Sequence, residues 1–200
     1  MPGSLRRWPW LAYVALLTLA DLGTKAWVFA RLGYEHRTSD WQFTAPCLWG
    51  QLRLQLRTSF NRGALLGMGP GLTWLYAGIA GLVVVAIGAW LWRRDLRDWR
   101  LSLAWGAVAA GALGNLHDRL GLHGCRDEAG RPIYAVRDFV DCTLPFVECR
   151  SLFDWRLVPE FEWPLFNLAD VWLVVGVVVL VAIWGRSDRT TPAAPGSAAG

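Results

Sequence analysis

The chain lacks charge over stretches where a soluble domain of this size would need it. Residues 72–92 contain no Asp, Glu, Lys or Arg, and residues 165–184 contain only Asp170. Apolar residues make up 54% of the 200 residues. Because about 20 apolar residues in a helix cross a hydrocarbon core of about 30 Å, these runs exclude an ordinary soluble domain and predict a membrane protein.

Histidine is also scarce, and its scarcity limits the catalytic chemistry that the chain can offer. His36, His117 and His123 are the three histidines of the sequence. There is no H-E-x-x-H zinc motif and no G-x-S-x-G nucleophile motif. The sequence therefore argues against a zinc protease and a serine hydrolase, and we expect neither a metal nor a cofactor.

Four apolar segments predict an all-α polytopic membrane protein with four transmembrane helices. The predicted spans are residues 10–30, 72–92, 101–120 and 165–184. They belong to a single membrane domain, residues 1–185, and residues 186–200 are rich in Ala, Pro, Gly and Ser and are expected to be a disordered cytoplasmic tail. The alternating run Leu52–Arg57 predicts a short strand in a small extracytoplasmic β-containing segment.

Arginines cluster before the first span, between the second and third, and after the fourth. They are Arg6, Arg7, Arg93, Arg94, Arg97, Arg100, Arg186 and Arg189. Since Lys and Arg concentrate in cytoplasmic loops, both termini are predicted to be cytoplasmic. Residues 31–71 and a long loop, 121–164, are then extracytoplasmic. Topology also explains the net charge of +4, so we expect no nucleic-acid partner.

Cysteine is absent from the predicted spans and cytoplasmic segments. The four cysteines, Cys47, Cys125, Cys142 and Cys149, all lie in the two outer segments. An even number in an oxidising compartment permits disulfides, and free thiols are the alternative. The spacing assigns no connectivity.

Polar residues interrupt three of the four apolar segments near their outer ends. They are Asp21 and Lys25 in the first, Asn115, Asp118 and Arg119 in the third, and Asn167 and Asp170 in the fourth. Spacings of three and four residues place each set on one helical face, and Pro164 is expected in the first turn of the fourth helix. Because a charge in hydrocarbon is costly, the three sets are predicted to share a polar cleft. Structural ion pairs, Asp21 with Lys25 and Asp118 with Arg119, are the alternative.

Four short motifs follow one another along the chain. They are Asp21-Leu-Gly-Thr-Lys25, Asn61-Arg-Gly63-Ala64, Gly111-Ala-Leu-Gly-Asn-Leu-His-Asp-Arg119, and Val136-Arg-Asp-Phe139 followed by Phe166-Asn-Leu-Ala-Asp170. In this order they resemble the D-x-x-T-K, N-x-G-A, G-A-x-G-N-x-x-D-R, V-x-D-F and F-N-x-A-D elements of lipoprotein signal peptidase, also called signal peptidase II. The resemblance extends from about residue 10 to residue 185.

The resemblance implies an intramembrane aspartic endopeptidase of the bacterial cytoplasmic (inner) membrane. Such enzymes cut the signal peptide from prolipoproteins just before a cysteine that carries diacylglycerol. The implied partners are this lipid-modified substrate and membrane lipids, and a monomer is expected. By position, the catalytic pair is Asp138 and Asp170. The implied substrate-binding or supporting residues are Asp21, Lys25, Asn61, Gly63, Asn115, Asp118, Arg119, Asn167 and Ala169.

Two features depart from the family pattern. Leu66 stands where the N-x-G-A element more often carries an aromatic residue, and the outer segments 121–135 and 141–163 are longer than expected. Asp170 consequently follows Asp138 by 32 positions, so Asp118 and Asp141 are alternatives to Asp138 in the catalytic pair. The alternative function is a small ion- or proton-coupled transporter subunit that uses the intramembrane carboxylates as a relay.

Overall fold

Four long helices make up most of the structure. A computed structural model describes residues 7–34, 36–47, 50–63, 71–93, 98–144 and 161–187. The helices are α1 (Arg7–Leu32), α2 (Thr73–Arg93), α3 (Trp99–Arg119) and α4 (Leu168–Ser187). They match the four predicted apolar segments, with ends displaced by one to three residues. Within the described ranges three helices, α1, α2 and α4, are long and apolar enough to cross a membrane, and the fourth span stays a prediction.

Helix α3 is the central helix, and its composition explains why it is less apolar than the others. It packs against α1, α2 and α4, and its buried residues are mostly Ala and Gly, including Ala107, Ala110, Gly111 and Gly114. Small residues allow helix backbones to approach closely in a membrane. At Gly111, a Cβ would collide with the carbonyl oxygen of Ala169 on α4, so these small residues allow α4 to pack closely on α3.

A four-stranded antiparallel sheet packs against α1 and α3. Its strands, in spatial as well as chain order, are β1 (Thr38–Cys47), β2 (Gly50–Asn61), β3 (Val136–Leu144) and β4 (Phe161–Phe166). The predicted strand Leu52–Arg57 is confirmed as the middle of β2. The other three strands were not predicted, so the β part of this mainly helical protein is larger than the sequence indicated.

The two faces of the sheet differ in polarity. Phe43, Leu54, Cys142 and Trp163 form one cross-strand row, whereas Gln42, Gln55 and Asp141 form a polar row. Because alternate residues of a strand point to the same side, Asp138 lies on the face of Cys142. Asp141 lies on the opposite face.

The start of α4 differs from the prediction, since Pro164 lies in β4 and not in the first helical turn. The side-chain oxygen of Asn167 accepts the N–H of Asp170 at 3.2 Å, and Asp170 accepts the N–H of Asn167 at 3.1 Å. This reciprocal capping arrangement begins the helix at Leu168. Pro164 sits where the pairing with β3 shifts register, on an edge strand that tolerates its missing N–H.

Two apolar clusters lie on either side of a polar layer along α1. The first includes Val14, Ile87, Val108 and Leu180, and the second includes Val28, Phe29, Phe60 and Phe139. Between Val14 and Val28, the side chains of Asp21 and Lys25 are fully buried. The polar groups are thus enclosed by protein and not by lipid.

Some predictions fall on residues that the structure does not describe. These are Leu66 with the rest of 64–70, residues 145–160 with Cys149, and residues 188–200 of the tail. Cys125 and Cys142 are free thiols, so they are not joined to each other. The side chain of Cys47 and all of Cys149 lie outside the description, and their pairing stays open.

Replacing Gly111 by Ala is expected to loosen the packing of α3 on α4. A Cβ at position 111 would lie 2.7 Å from Cγ of Leu173 and would also collide with the carbonyl oxygen of Ala169. Such overpacking costs about 1–3 kcal/mol, so the Tm in detergent should fall. Gly78→Ala is the matched control, because a Cβ there meets no atom within 4 Å. Equal Tm values for the two variants would contradict this prediction.

Candidate active site

Polar side chains from α1, α3, β3 and α4, and from Asn167 directly before α4, meet in one cluster. Its members are Asp21, Lys25, Asn115, Asp118, Arg137, Asp138, Asn167 and Asp170. All are buried except Asp170, which is partly exposed. The predicted convergence of three helical faces is confirmed, and β3 adds two members to it.

Four charged residues form the ionic core of this cluster. Lys25 Nζ lies 2.8 Å from Asp21 and 3.4 Å from Asp118. Asp118 also pairs with Arg137 at 2.8 Å. The two acids and two bases balance in charge, as buried ions must if they are not to destabilise the fold. The Asp21–Lys25 pair considered from the sequence is therefore confirmed.

Arg119 does not pair with Asp118, contrary to the second ion pair considered from the sequence. Consecutive residues of a helix point in different directions, and Asp118 faces Lys25 and Arg137 instead. Arg119 donates to the carbonyl oxygen of Gly63 at 3.3 Å and lies 5.7 Å from the ring centre of Tyr76. It therefore connects the segment that follows β2 to the helices.

Asp21 also holds the beginning of α4. Its Oδ1 accepts the N–H of Ala169 at 2.9 Å, which places a carboxylate at the positive end of the helix dipole. Ala169 is fully buried, and a Cβ at position 114 would lie 3.3 Å from the Cβ of Ala169. A small residue at position 169 is thus required by packing.

Asp170 is oriented by Asn115 and by its own helix start. Asn115 Nδ2 donates to Asp170 Oδ1 at 2.9 Å, while the N–H of Asn167 donates to Oδ2 at 3.1 Å. Lys25 Nζ donates to Asn115 Oδ1 at 3.1 Å. Because the amide oxygen faces Lys25, the amide nitrogen must face Asp170.

Asp138 is held by the side chains of two asparagines, Asn167 and Asn61. Asn167 Nδ2 donates to its Oδ1 at 2.6 Å and Asn61 Nδ2 to its Oδ2 at 3.0 Å. Asn61 is itself fixed, since its side-chain oxygen accepts the N–H of Gly63 at 2.9 Å. Burial, followed by the negative charge of Asp170, raises the pKa of Asp138 to about 7. This carboxyl group can therefore carry a proton near neutral pH.

Asp138 and Asp170 open into the same cavity, which has a volume of about 460 Å³. Its polar end also contains Asn61, Asn115 and Arg119. Its apolar walls contain Val136, Trp163, Leu165, Phe166, Val171, Val174 and Val175. The arrangement offers two neighbouring carboxyl groups to a molecule with an apolar body.

The two alternatives to Asp138 lie elsewhere. Asp118 is engaged by Lys25 and Arg137 in the ionic core. Asp141 accepts a hydrogen bond from Gln55 at 2.9 Å and pairs with Arg57 at 3.2 Å on the other face of the sheet. Neither residue lines the cavity that holds Asp170.

Arg137 is the one member of the cluster that sequence reasoning missed. It occupies the variable position of the V-x-D-F element, where the motif carries no signal. Alternation along a strand places it opposite Asp138, but the strand itself was not predicted.

Among the residues that the structure describes, no group of His, Cys, Asp and Glu side chains is arranged to hold a metal ion.

The chain is similar to known proteins over most of its length. The family model described as Signal peptidase (SPase) II matches residues 13–184. Lipoprotein signal peptidase of Rhodopirellula baltica is 32% identical over 127 residues, which cover 63% of this chain and about half (51%) of that relative. Lipoprotein signal peptidase of Yersinia pseudotuberculosis is 28% identical over 179 residues, covering 88% of this chain and 84% of the relative.

Two solved structures have the same fold. Both are described as bacterial membrane enzymes determined by the in meso method. The one at 2.3 Å resolution has a TM-score of 0.63 and 20% identity, and the match covers 94% of each chain. The one at 1.9 Å resolution has a TM-score of 0.57 and 20% identity, over 88% of this chain and 92% of the other.

Replacing Lys25 by Met is expected to destabilise the protein strongly, because the buried Asp21 would lose its cation and Asp118 would keep only Arg137. Breaking a buried ion pair in this way costs about 3–5 kcal/mol. The measurement is thermal unfolding in detergent. Arg131→Met is the matched control, since Arg131 and Asp127 are also four residues apart at 2.8 Å but Arg131 is 79% exposed. A Tm for Lys25→Met as high as that of the control would refute the prediction.

Proposed function

The chain belongs to the signal peptidase II family, and we propose on this basis that it removes the signal peptide from diacylglyceryl-modified bacterial prolipoproteins. The proposed cut lies just before the lipid-bearing cysteine. The observation that supports an aspartic mechanism is the position of Asp138 and Asp170, which open into one cavity while asparagine side chains hold both carboxyl groups.

The proposed reaction needs one proton on the pair of carboxyl groups. Asp138, with its pKa raised to about 7, carries this proton, and Asp170 takes another from the attacking water. The hydroxide oxygen bonds to the scissile carbonyl carbon while Asp138 protonates the carbonyl oxygen. Asp170 then protonates the leaving nitrogen as the C–N bond breaks, and Asp138 recovers its proton from the collapsing diol. Opposite roles for two carboxyl groups follow from their different environments.

The shape of the cavity supports a lipid-anchored peptide as substrate. The end of the cavity that contains Asp138 and Asp170 is polar. Its wall on the α4 side includes Val174 and Val175, which are 60% and 47% exposed. These side chains join the cavity to the outer surface of an apolar helix. A peptide amide can thus reach the aspartates while the acyl chains of its neighbouring cysteine stay in lipid.

We further propose a monomer in the bacterial cytoplasmic membrane, with cytoplasmic termini and the aspartates near the outer face. Supporting this orientation, the arginine- and tryptophan-rich helix ends lie together. Arg7 donates to the carbonyl oxygen of Trp92 at 2.8 Å, and Trp10 Nε1 donates to that of Ser102 at 2.8 Å. Asp170, by contrast, lies in the first turn of α4, whereas Arg186 lies in the last.

The alternative function, an ion- or proton-coupled transporter subunit, is not retained. The family is one of peptidases. In addition, Asp21, Lys25 and Asp118 bond to one another within the protein. A relay through the membrane would require polar groups distributed along its depth.

Asp138→Asn and Asp170→Asn are each expected to reduce processing by at least about 10²-fold, because each removes a group that transfers a proton. The assay follows cleavage of a diacylglyceryl-modified precursor by purified protein in detergent. Asp141→Asn is the matched control, since Asp141 is buried on the same strand but faces away from the cavity. Full activity of Asp170→Asn would refute the aspartic mechanism, and loss with Asp141→Asn alone would move the pair to Asp141.

Activity is expected to fall as the pH rises above about 7, where Asp138 loses the proton that the pair must hold. The hydrogen bond from Asn61 favours the ionised carboxylate and so lowers the pKa of Asp138. Asn61→Leu should therefore raise this pKa and move the alkaline limb of kcat/KM to higher pH. Gln55→Leu, which removes the equivalent bond to Asp141, should leave the limb in place. A limb that stays or moves down in Asn61→Leu would contradict this assignment.

A further inference from the structure

Arg137 is a buried arginine whose backbone and side chain bind the same carboxylate. Its N–H donates to Asp118 Oδ2 at 3.0 Å, its Nε to Oδ2 at 3.2 Å and its Nη2 to Oδ1 at 2.8 Å. Only 4% of Arg137 is exposed, and Asp118 is fully buried. Two side-chain bonds and one backbone bond together prevent β3 from sliding or rotating against α3.

The attachment of β3 to α3 through Arg137 and Asp118 determines the position of Asp138. It follows Arg137 directly, and successive residues of a strand point to opposite sides. Arg137 faces α3, so Asp138 faces the cavity. The asparagines that bind Asp138 orient its carboxyl group, but the position of its Cα depends on the position of β3.

The partner of Arg137 lies on the helix that also orients Asp170. Asp118 comes three residues after Asn115, and residues at this spacing share a helical face. Asn115 donates to Asp170 at 2.9 Å. One turn of α3 therefore contacts both halves of the site, Asp170 through Asn115 and Asp138 through Asp118 and Arg137.

We propose that Arg137 is a positioning residue. Its paired hydrogen bonds to Asp118 hold Asp138 at the separation from Asp170 that hydrolysis requires. This inference rests on the proposed function and adds a residue to its site. Arginine suits the role because its planar guanidinium binds a carboxylate through two parallel bonds, which fixes direction as well as distance. Lysine at position 137 would keep the charge of the ionic core but could not form the two parallel hydrogen bonds to Asp118.

The decisive variant is accordingly Arg137→Lys, which preserves charge balance and is expected to fold. Its kcat should fall on the order of 10²-fold, the cost of misplacing a reacting group by about 1 Å, while its KM changes little. Arg57→Met is the matched control. This substitution removes the cation that lies 3.2 Å from Asp141, a residue of β3 like Arg137. The kcat of Arg57→Met should stay at the wild-type value.

A second readout does not depend on turnover. Infrared titration of the substrate-free protein, with Asp138→Asn identifying the signal, should place the Asp138 pKa at about 7 in the wild type. In Arg137→Lys this pKa should move, because a displaced Asp138 feels the charge of Asp170 differently. Arg57→Met should not move it.

The outcomes separate this inference from the proposed function. A wild-type protein that leaves the lipidated precursor uncut would remove the proposed function, whereas a moved Asp138 pKa in Arg137→Lys would still support the positioning role. A folded Arg137→Lys with wild-type kcat and an unmoved pKa would overturn the inference, even if its Tm were lower. That last pattern would assign Arg137 to stability alone.

Discussion

The contact of Lys25 with Asp21, Asp118 and Asn115 is the interaction that organises this protein. Lys25 is fully buried and lies 2.8 Å from one carboxylate and 3.4 Å from another. An uncompensated charge at this depth would cost several kcal/mol, so the elements that carry the partners must pack in one arrangement. Lys25 and Asp21 belong to α1, Asp118 belongs to α3, and Asp21 in turn holds the start of α4 through Ala169.

The same cluster shows how one residue type serves two purposes. Asp21 and Asp118 pair with cations and belong to the ionic core. Asp138 and Asp170 receive bonds from amide groups, and an amide orients a carboxyl group without supplying a full charge. This arrangement is compatible with the proton transfers of the proposed aspartic mechanism. The ionic core holds the helices in place, and the asparagine side chains orient the proposed catalytic carboxyl groups relative to it.

Packing on α3 makes this arrangement possible. Gly111 and Gly114 bring α4 and Asp21 against α3 at distances that a Cβ would prevent. Helix α3 is the least apolar of the four helices, and it is also the helix against which the other three pack. Its modest hydropathy is tolerated because α3 contacts the other three helices over much of its surface.

Local sequence was sufficient for the four helical segments, for the strand at Leu52–Arg57 and for the polar face of each helix, because composition and periodicity act within one element. Strand β1 was missed although its partner, β2, follows it directly in the chain. Strands β3 and β4 were missed, since their stability comes from cross-strand partners farther away in the chain and, in β4, from an edge position that tolerates Pro164. The partner of Asp118 was also misjudged: adjacency suggested Arg119, and the fold supplied Arg137 from a strand 19 positions away. Which carboxyl groups face a common cavity was likewise decided by strand alternation and register, which exist only once β3 has paired with β2 and packed on α3.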